Sequence, residues 1–418
     1  MTAASPKTAV VIGAGIVGLS TAWHLQEFGI QVTVIDREDV AAGASWGNAG
    51  WLTPSLAAPL PEPSVLRYGL KALADRSSPL VVPLRPSRSL AAFLGDFSTH
   101  CRASTWASSM AALRPLNDAA LEAYDVMVDG DVESSTVTAP VLCAFLDESR
   151  ARPLLDELRL MVGAGQVVQA DLLSAAELAE AEPMLSSDVR FGVRLHGQRY
   201  LDPAAFTRAL ADSVVTRGGN IRAGWPVSHV GRSGDRVVVH GSSDSIDADV
   251  VVVATGAWLE ELVRPHGVRV RVQAGRGYSL TVPIPSKPAG PLYFPAARLA
   301  CTPVSGGRLR IAGMMEFGSP DAPGDLKRWD LLLSTVAPYL PGVGGESVKD
   351  RWVGPRPVSA DGLPLIGATR TPGVYVAGGH GMWGVTLGPI TGRVLAEAIV
   401  GGEAKVDLRP VSPLRGLA

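Results

Sequence analysis

The stretch from Thr8 to Arg37, TAVVIGAGIVGLSTAWHLQEFGIQVTVIDR, constrains the fold more than any other part of the chain. Ala9 to Ile12 is an apolar run long enough for a buried parallel strand and too short for a helix. It breaks at Gly13-Ala14-Gly15-Ile16-Val17-Gly18, a G-x-G-x-x-G, and an amphipathic helix follows to about Phe28. Gly29 stands where a helix C-cap belongs. A second β-rich run, Gln31 to Ile35, ends in Asp36 and Arg37.

Each residue of the turn has a physical task. Gly13 permits a tight strand-to-helix reversal, Gly15 lets a pyrophosphate approach bare backbone, and Gly18 lets the helix pack closely on the sheet. The helix N-terminus, at Ile16 and Val17, offers unpaired N–H groups and a partial positive charge to phosphates. Asp36 is placed to accept hydrogen bonds from a ribose hydroxyl pair. The glycine pattern alone also fits an ordinary turn in an α/β core. Strand, glycines, helix, second strand and terminal acid in register point to dinucleotide binding.

At 418 residues the chain exceeds a usual single core and suggests two domains. Its net charge of −2 supplies no attraction for nucleic acid or an anionic membrane. Cys101, Cys143 and Cys301 are widely spaced, with no C-x-x-C, which argues against a zinc site or a disulfide framework and fits a reducing compartment. Each is read as a small buried hydrophobe or, alternatively, a reactive thiol. The opening MTAASPK is polar, without the apolar core of a signal peptide, and no apolar run approaches the ~18 residues of a membrane span. A cytoplasmic protein is expected, with peripheral membrane contact and homo-oligomer formation left open.

After Asp36, the segment Ala41 to Pro59 is rich in Gly, Ala, Ser and Pro and reads as an extended loop. It is either a surface connection or a path along a bound cofactor, and Asn48-Ala49-Gly50 suits backbone passing close to something flat. Leu66 to Leu185 is mostly helical, with pieces at Leu90 to Cys101, Met110 to Val128, Arg152 to Gly163 and Leu173 to Glu182, and a strand at Leu142 to Phe145. A helix at Ala204 to Arg217 precedes short strands at Asn220 to Ala223, Val227 to Gly231 and Arg236 to His240. Asp249 to Gly256 is a buried strand running through Thr255 into a glycine, as where a parallel sheet meets a nucleotide.

Val272 to Val282, containing Gln273, Arg276, Gly277 and Tyr278, and Leu299 to Met315 suggest a separate antiparallel sheet, followed by a helix from Asp325 to Tyr339. Val374 to Ala377 is a further strand, Gly378-Gly379-His380-Gly381 a turn dense in free N–H groups, and Pro389 to Val400 a helix. Arg356, between prolines in a rigid loop, offers the planar fork that suits a carboxylate, or else makes a structural ion pair. His380 is a candidate base, although a histidine in a glycine turn also suits a structural hydrogen bond.

Taken together, these segments resemble the D-amino acid oxidase superfamily. Gly13, Gly15, Gly18, Ala22, Leu25, Gly29, Val32, Val34 and Asp36 fall at the spacing of its FAD fingerprint, with Asp36 where the family often has Glu. The runs IDRE, SWGNAG, GRGYSLT, LRIAG and WVGPRPVSADGLPLIG look like the bacterial D-amino acid dehydrogenase subgroup. The resemblance implies an α/β fold: a Rossmann-type FAD-binding domain (1–62, 195–270 and 348–418) interrupted by a substrate domain (63–194 and 271–347) with a mostly antiparallel sheet and helices. It implies that Ser45, Asn48 and Ala49, with Gly50, line the flavin, that Val227 touches it, and that Thr255 and Gly256 lie near the phosphates. Gly379, Gly381 and Gly384, with Val385 and Thr386, would lie near the ring end, and Arg37 beside Asp36 would complete the cofactor set. Arg356 matches the arginine that holds the substrate carboxylate, and Tyr278 is a further substrate-side candidate. Related oxidases often carry an arginine after the turn's histidine, where this chain has Met382-Trp383, which leaves amine-side selectivity open. No cysteine matches a covalent flavin linkage, so FAD is expected to be non-covalent.

The resulting expectation is FAD-dependent oxidative deamination of an amino acid, leading to a keto acid and ammonia, with a quinone, another carrier or oxygen as electron acceptor. Two alternatives stand beside it: oxidation of glycine, sarcosine or a cyclic imino acid, and a non-catalytic FAD-binding subunit.

Overall fold

The computed structural model describes residues 6–65, 78–83, 85–344, 347–401 and 406–416; the first residues of the polar opening and part of the helical reading from Leu66 lie outside them. Six strands form one sheet in the order Asn220–Arg222, Gln31–Ile35, Thr8–Ile12, Val250–Val253, Val374–Gly378, Leu365–Ala368. All pairs are parallel except the last. Alternation along the central strand sorts its two faces. Ala9 and Val11 face a core with the helices Ile16–Glu27, Pro203–Thr216 and Gly384–Ile399, whereas Val10 and Ile12 pack against the meander His229–Ser233, Arg236–His240, Ser245–Ala248.

The helix Gly384–Ile399 begins earlier than Pro389, where sequence placed its start. A proline inside a helix leaves the carbonyl four residues back without its N–H. That carbonyl belongs to Val385, and it accepts instead from the hydroxyl of the buried Tyr124, at 2.6 Å. A tertiary contact thus replaces the missing backbone bond.

A second, nine-stranded sheet runs Lys349–Ser359, Val272–Pro283, Arg308–Phe317, Leu299–Val304, Leu292–Phe294, Val141–Phe145, Phe191–Leu195, Ala170–Ser174, with Leu80–Val81 paired to Arg308–Phe317. It is mostly antiparallel. Lys349–Ser359, expected among the nucleotide-binding segments, therefore pairs within this sheet. Arg356 correspondingly sits in a strand and not in a loop. Pro355 and Pro357 fit there because this strand is the sheet's edge, where absent N–H groups leave no ladder partner unsatisfied.

The long helical reading at Met110 to Val128 divides into Ala103–Asp118 and Ala120–Asp129. Ala170–Ser174 is a strand, and the helix after it is shortened to Ala175–Ala181 by a capping box between Ser174 and Glu177. All three cysteines are buried, and burial pushes their thiols up, Cys101 to about 11, so they act as small hydrophobes. No helix among the described residues is long and apolar enough to cross a membrane.

Candidate active site

A cavity of about 440 Å³ opens where the two sheets meet, at the carboxyl ends of the parallel strands. The glycine turn and the helix Ile16–Glu27 form one wall. Gly13 has φ +115°, and a Cβ there would lie 2.4 Å from the Ala254 carbonyl oxygen. Gly15 faces the cavity, and Ser45 Oγ accepts from the Ile16 N–H at 3.0 Å, capping one of the helix's free donors. Asp36 accepts from the N–H groups of Ala14, at 2.8 Å, and Glu38, at 2.9 Å. The carboxylate expected to meet a ribose therefore also fixes the glycine turn.

The loop after Asp36 is anchored, not a free surface connection. The Ser279 and Thr302 hydroxyls donate to the carbonyls of Gly47 (2.6 Å) and Ala49 (2.7 Å), and Arg310 donates to that of Asn48 (3.2 Å). All three donors belong to the larger sheet, so its side chains stitch the loop to it through the loop's carbonyls.

The substrate end rests on two opposed glycines. Gly277 and Gly354 are register partners on adjacent strands. A Cβ on Gly277 would lie 2.2 Å from the Arg356 guanidinium, and one on Gly354 2.0 Å from the Trp352 indole. With neither Cβ present, both long side chains lie flat on the sheet and face the cavity. Trp352, Gly354 and Arg356 alternate along one strand and share a face.

The Arg356 guanidinium donates to the Met314 carbonyl at 2.7 Å, and Met314 holds a left-handed backbone, φ +64°, opposite the irregularity between Arg276 and Tyr278. Among the described residues no carboxylate lies within ion-pair distance of Arg356. Burial lowers its pKa to about 10, which still leaves it charged at neutral pH. A half-buried cation that no described carboxylate matches, facing a cavity, calls for an anionic ligand.

Tyr278 also lines the cavity, but its hydroxyl donates to Glu316 at 2.6 Å. Burial, with Glu316 beside it, pushes its pKa up to about 12. His380 is buried with Nε2 2.9 Å from Thr391 Oγ1, and burial lowers its pKa to about 4.

Most residues expected from sequence line this one cavity: Gly13, Gly15, Ile16, Val17, Asp36, Arg37, Ser45, Asn48, Val227, Thr255, Gly256, Tyr278, Arg356, His380, Gly381, Gly384 and Val385. Gly18, Ala49, Gly50, Gly379 and Thr386 do not. A Cβ on Gly18 would lie 2.0 Å from the Gly13 carbonyl oxygen, on Gly50 2.1 Å from that of Leu201, and on Gly379 2.4 Å from the Leu365 side chain, so these glycines serve packing. The Ala49 carbonyl is taken by Thr302, and the buried Thr386 hydroxyl donates to the Trp51 carbonyl. Trp225, Trp258 and Trp352 line the cavity without having been singled out as site residues. For Trp352 a signal existed: W-x-G-x-R alternates correctly once the segment is read as a strand.

The family description "FAD dependent oxidoreductase" (DAO) matches residues 8–398. The chain belongs to this family. It is 30% identical over 407 residues, 95% of its length and 93% of the relative's, to D-amino acid dehydrogenase from Cereibacter sphaeroides. Among solved structures it superposes on glycine oxidase from Geobacillus kaustophilus with a TM-score of 0.75 and 22% identity, covering 99% of each chain. Iminodiacetate oxidase from Chelativorans sp. gives a TM-score of 0.72 at 20% identity, covering 97% of this chain and 98% of that one.

FAD is the cofactor of this oxidoreductase, and the cavity fits it. The Thr255 hydroxyl is buried there without a hydrogen-bond partner among the described residues, and a Cβ on neighbouring Gly256 would meet nothing within 4 Å. An orphaned donor beside a bare glycine, in the same cavity as a helix N-terminus, suits a diphosphate. Ser45, Thr255 and the Gly13–Val17 turn would hold that diphosphate, and Asp36 the ribose.

Proposed function

We propose that this enzyme oxidises the carbon–nitrogen bond of a D-amino acid, yielding an imine that water hydrolyses to a 2-keto acid and ammonia. The supporting observation is Arg356: charged, lying on a glycine floor, without an acidic partner among the described residues, at the cavity end formed by the second sheet. The D-amino acid dehydrogenase relative supports the substrate class.

FAD, when bound, supplies the hydride acceptor. The chain's own residues position the substrate. Arg356 takes its carboxylate in a two-point contact and so orients the α-carbon. Tyr278, its hydroxyl committed to Glu316, presents an aromatic ring and not a base. His380 is neutral above about pH 4 and bonded to Thr391, which favours a structural role. An amine arriving neutral needs no side-chain base.

The test is anaerobic flavin bleaching by D- and L-amino acids, glycine, N-methyl amines and proline, with wild type, Arg356→Ala and Arg356→Lys. The alanine variant should retain FAD and lose about 2–5 kcal/mol of transition-state stabilisation toward carboxylates, the range for truncating one partner of a buried charge pair. Lysine keeps the charge without the fork and should not restore full activity. Equal losses toward carboxylate-free amines would make Arg356 structural. Bleaching by secondary amines alone would replace the leading substrate with that class, and bleaching by none of the compounds would favour a non-catalytic subunit. Peroxide yield in air separates an oxidase from a dehydrogenase.

A further inference from the structure

Arg37 follows the strand Gln31–Ile35, and Trp258 ends the turn after Val250–Val253. These strands flank Thr8–Ile12, so their ends stand two strand spacings apart, ~9.5 Å, on either side of the glycine turn. Side chains close that gap. The Arg37 guanidinium lies 3.9 Å from the centroid of the Trp258 ring, and both residues line the cofactor cavity.

A third residue reaches this pair from the other half of the protein. Asp321, in the loop between Arg308–Phe317 and Leu326–Val336, pairs with Arg37 Nη2 at 2.8 Å and accepts from Trp258 Nε1 at 3.0 and 3.1 Å. The base of the same loop is tied down from the strand that carries Tyr278. Arg276 donates to the carbonyls of Ala322 (2.9 Å) and Pro323 (2.6 Å), and Gln273 to that of Gly318 (2.8 Å). A loop fixed at its base and bonded at its tip to two cavity-lining side chains behaves as a strap. Its tip contacts are exposed, hence weak singly and screened by salt.

We propose that Arg37, Trp258 and Asp321 form a clasp across the FAD groove, and that Asp321 holds it shut and so limits the rate of cofactor exchange. The assignment depends on FAD being the cofactor and is independent of the substrate. A clasp differs from an ordinary cofactor contact in one measurable way. Loss of a contact speeds release alone, whereas loss of a clasp speeds both entry and release.

The experiment measures FAD release from the holoenzyme by flavin fluorescence after dilution, and FAD uptake by the stripped protein in stopped flow, for wild type and Asp321→Asn. Asparagine preserves shape and removes the charge. Both rates should rise about two- to fivefold at low salt, the scale of one exposed ion pair, since the asparagine oxygen can still accept from Trp258. Raising NaCl to ~1 M should bring wild type to the variant's rates and leave the variant almost unchanged. Trp258→Phe, which keeps a ring but loses the N–H donor to Asp321, provides a second variant with the same expected direction. Unchanged rates, faster release with unchanged uptake, or equal salt responses in wild type and variant would each overturn the proposal.

Discussion

Gly277→Ala tests the substrate end without touching the arginine itself. The added methyl would lie 2.2–2.3 Å from three guanidinium atoms of Arg356. Ordinary contact between such atoms is ~3.5 Å, so the guanidinium must withdraw by about 1.3 Å. It is the flexible end of a long side chain and can do so, and the fold should lose no more than about 1 kcal/mol. Withdrawal stretches the 2.7 Å bond to the Met314 carbonyl and moves the carboxylate-binding fork off its axis. A displacement of about 1 Å in a positioning group costs up to ~10²-fold in rate. Anaerobic stopped-flow reduction of the flavin at saturating amino acid should therefore slow by about 10- to 100-fold, with FAD retained and the melting temperature nearly unchanged. Carboxylate-free amines should be reduced at wild-type rates. If Gly277→Ala reduces as fast as wild type with amino acids, the carboxylate does not sit on Arg356 as placed here.

Two further outcomes follow from Asp36 and from two buried histidines. Asp36→Ala leaves the Ala14 and Glu38 N–H groups without their acceptor, so FAD affinity measured by titration should fall by about 1–3 kcal/mol and the cofactor-free protein should also melt earlier; unaltered affinity would remove Asp36 from the ribose site. His24 and His380 are held neutral, His24 at about 3 by burial aided by Arg393 and Arg217, His380 at about 4 by burial, against 6.5 for a free histidine. Between about pH 4 and 6.5 the unfolded chain therefore binds more protons, and stability should rise with pH through that window and be lost as pH falls. The urea midpoint of wild type should drop from pH 7 to pH 5 more steeply than that of His24→Gln, and parallel slopes would show that His24 is not buried neutral.

Much of this enzyme was legible from short stretches of sequence. Gln31–Ile35, Arg152–Gly163 and Arg236–His240 have in the structure the bounds that periodicity and turn residues assign them. The glycine turn and its terminal acid carried the cofactor class, because the strand, turn and helix that meet a diphosphate are consecutive in the chain. Signals of this kind act over a few residues and need no distant partner.

The tertiary structure decided what depends on two distant segments. Arg356 reads as a loop residue between prolines until Val272–Pro283 pairs with its strand and makes it an edge. Gly277 and Gly354 look like unrelated glycines until register sets them opposite each other as a floor for Arg356 and Trp352. The start of Gly384–Ile399 depends on the Tyr124 hydroxyl, contributed by a helix far back in the chain. Asp321 carried no signal at all, since an exposed aspartate in a loop gains meaning only from Arg37 and Trp258 beside it. Residue type and spacing determine what a segment can become. Which cations stay unpaired, and which glycines must lack a side chain, is settled only when the two sheets close on one another.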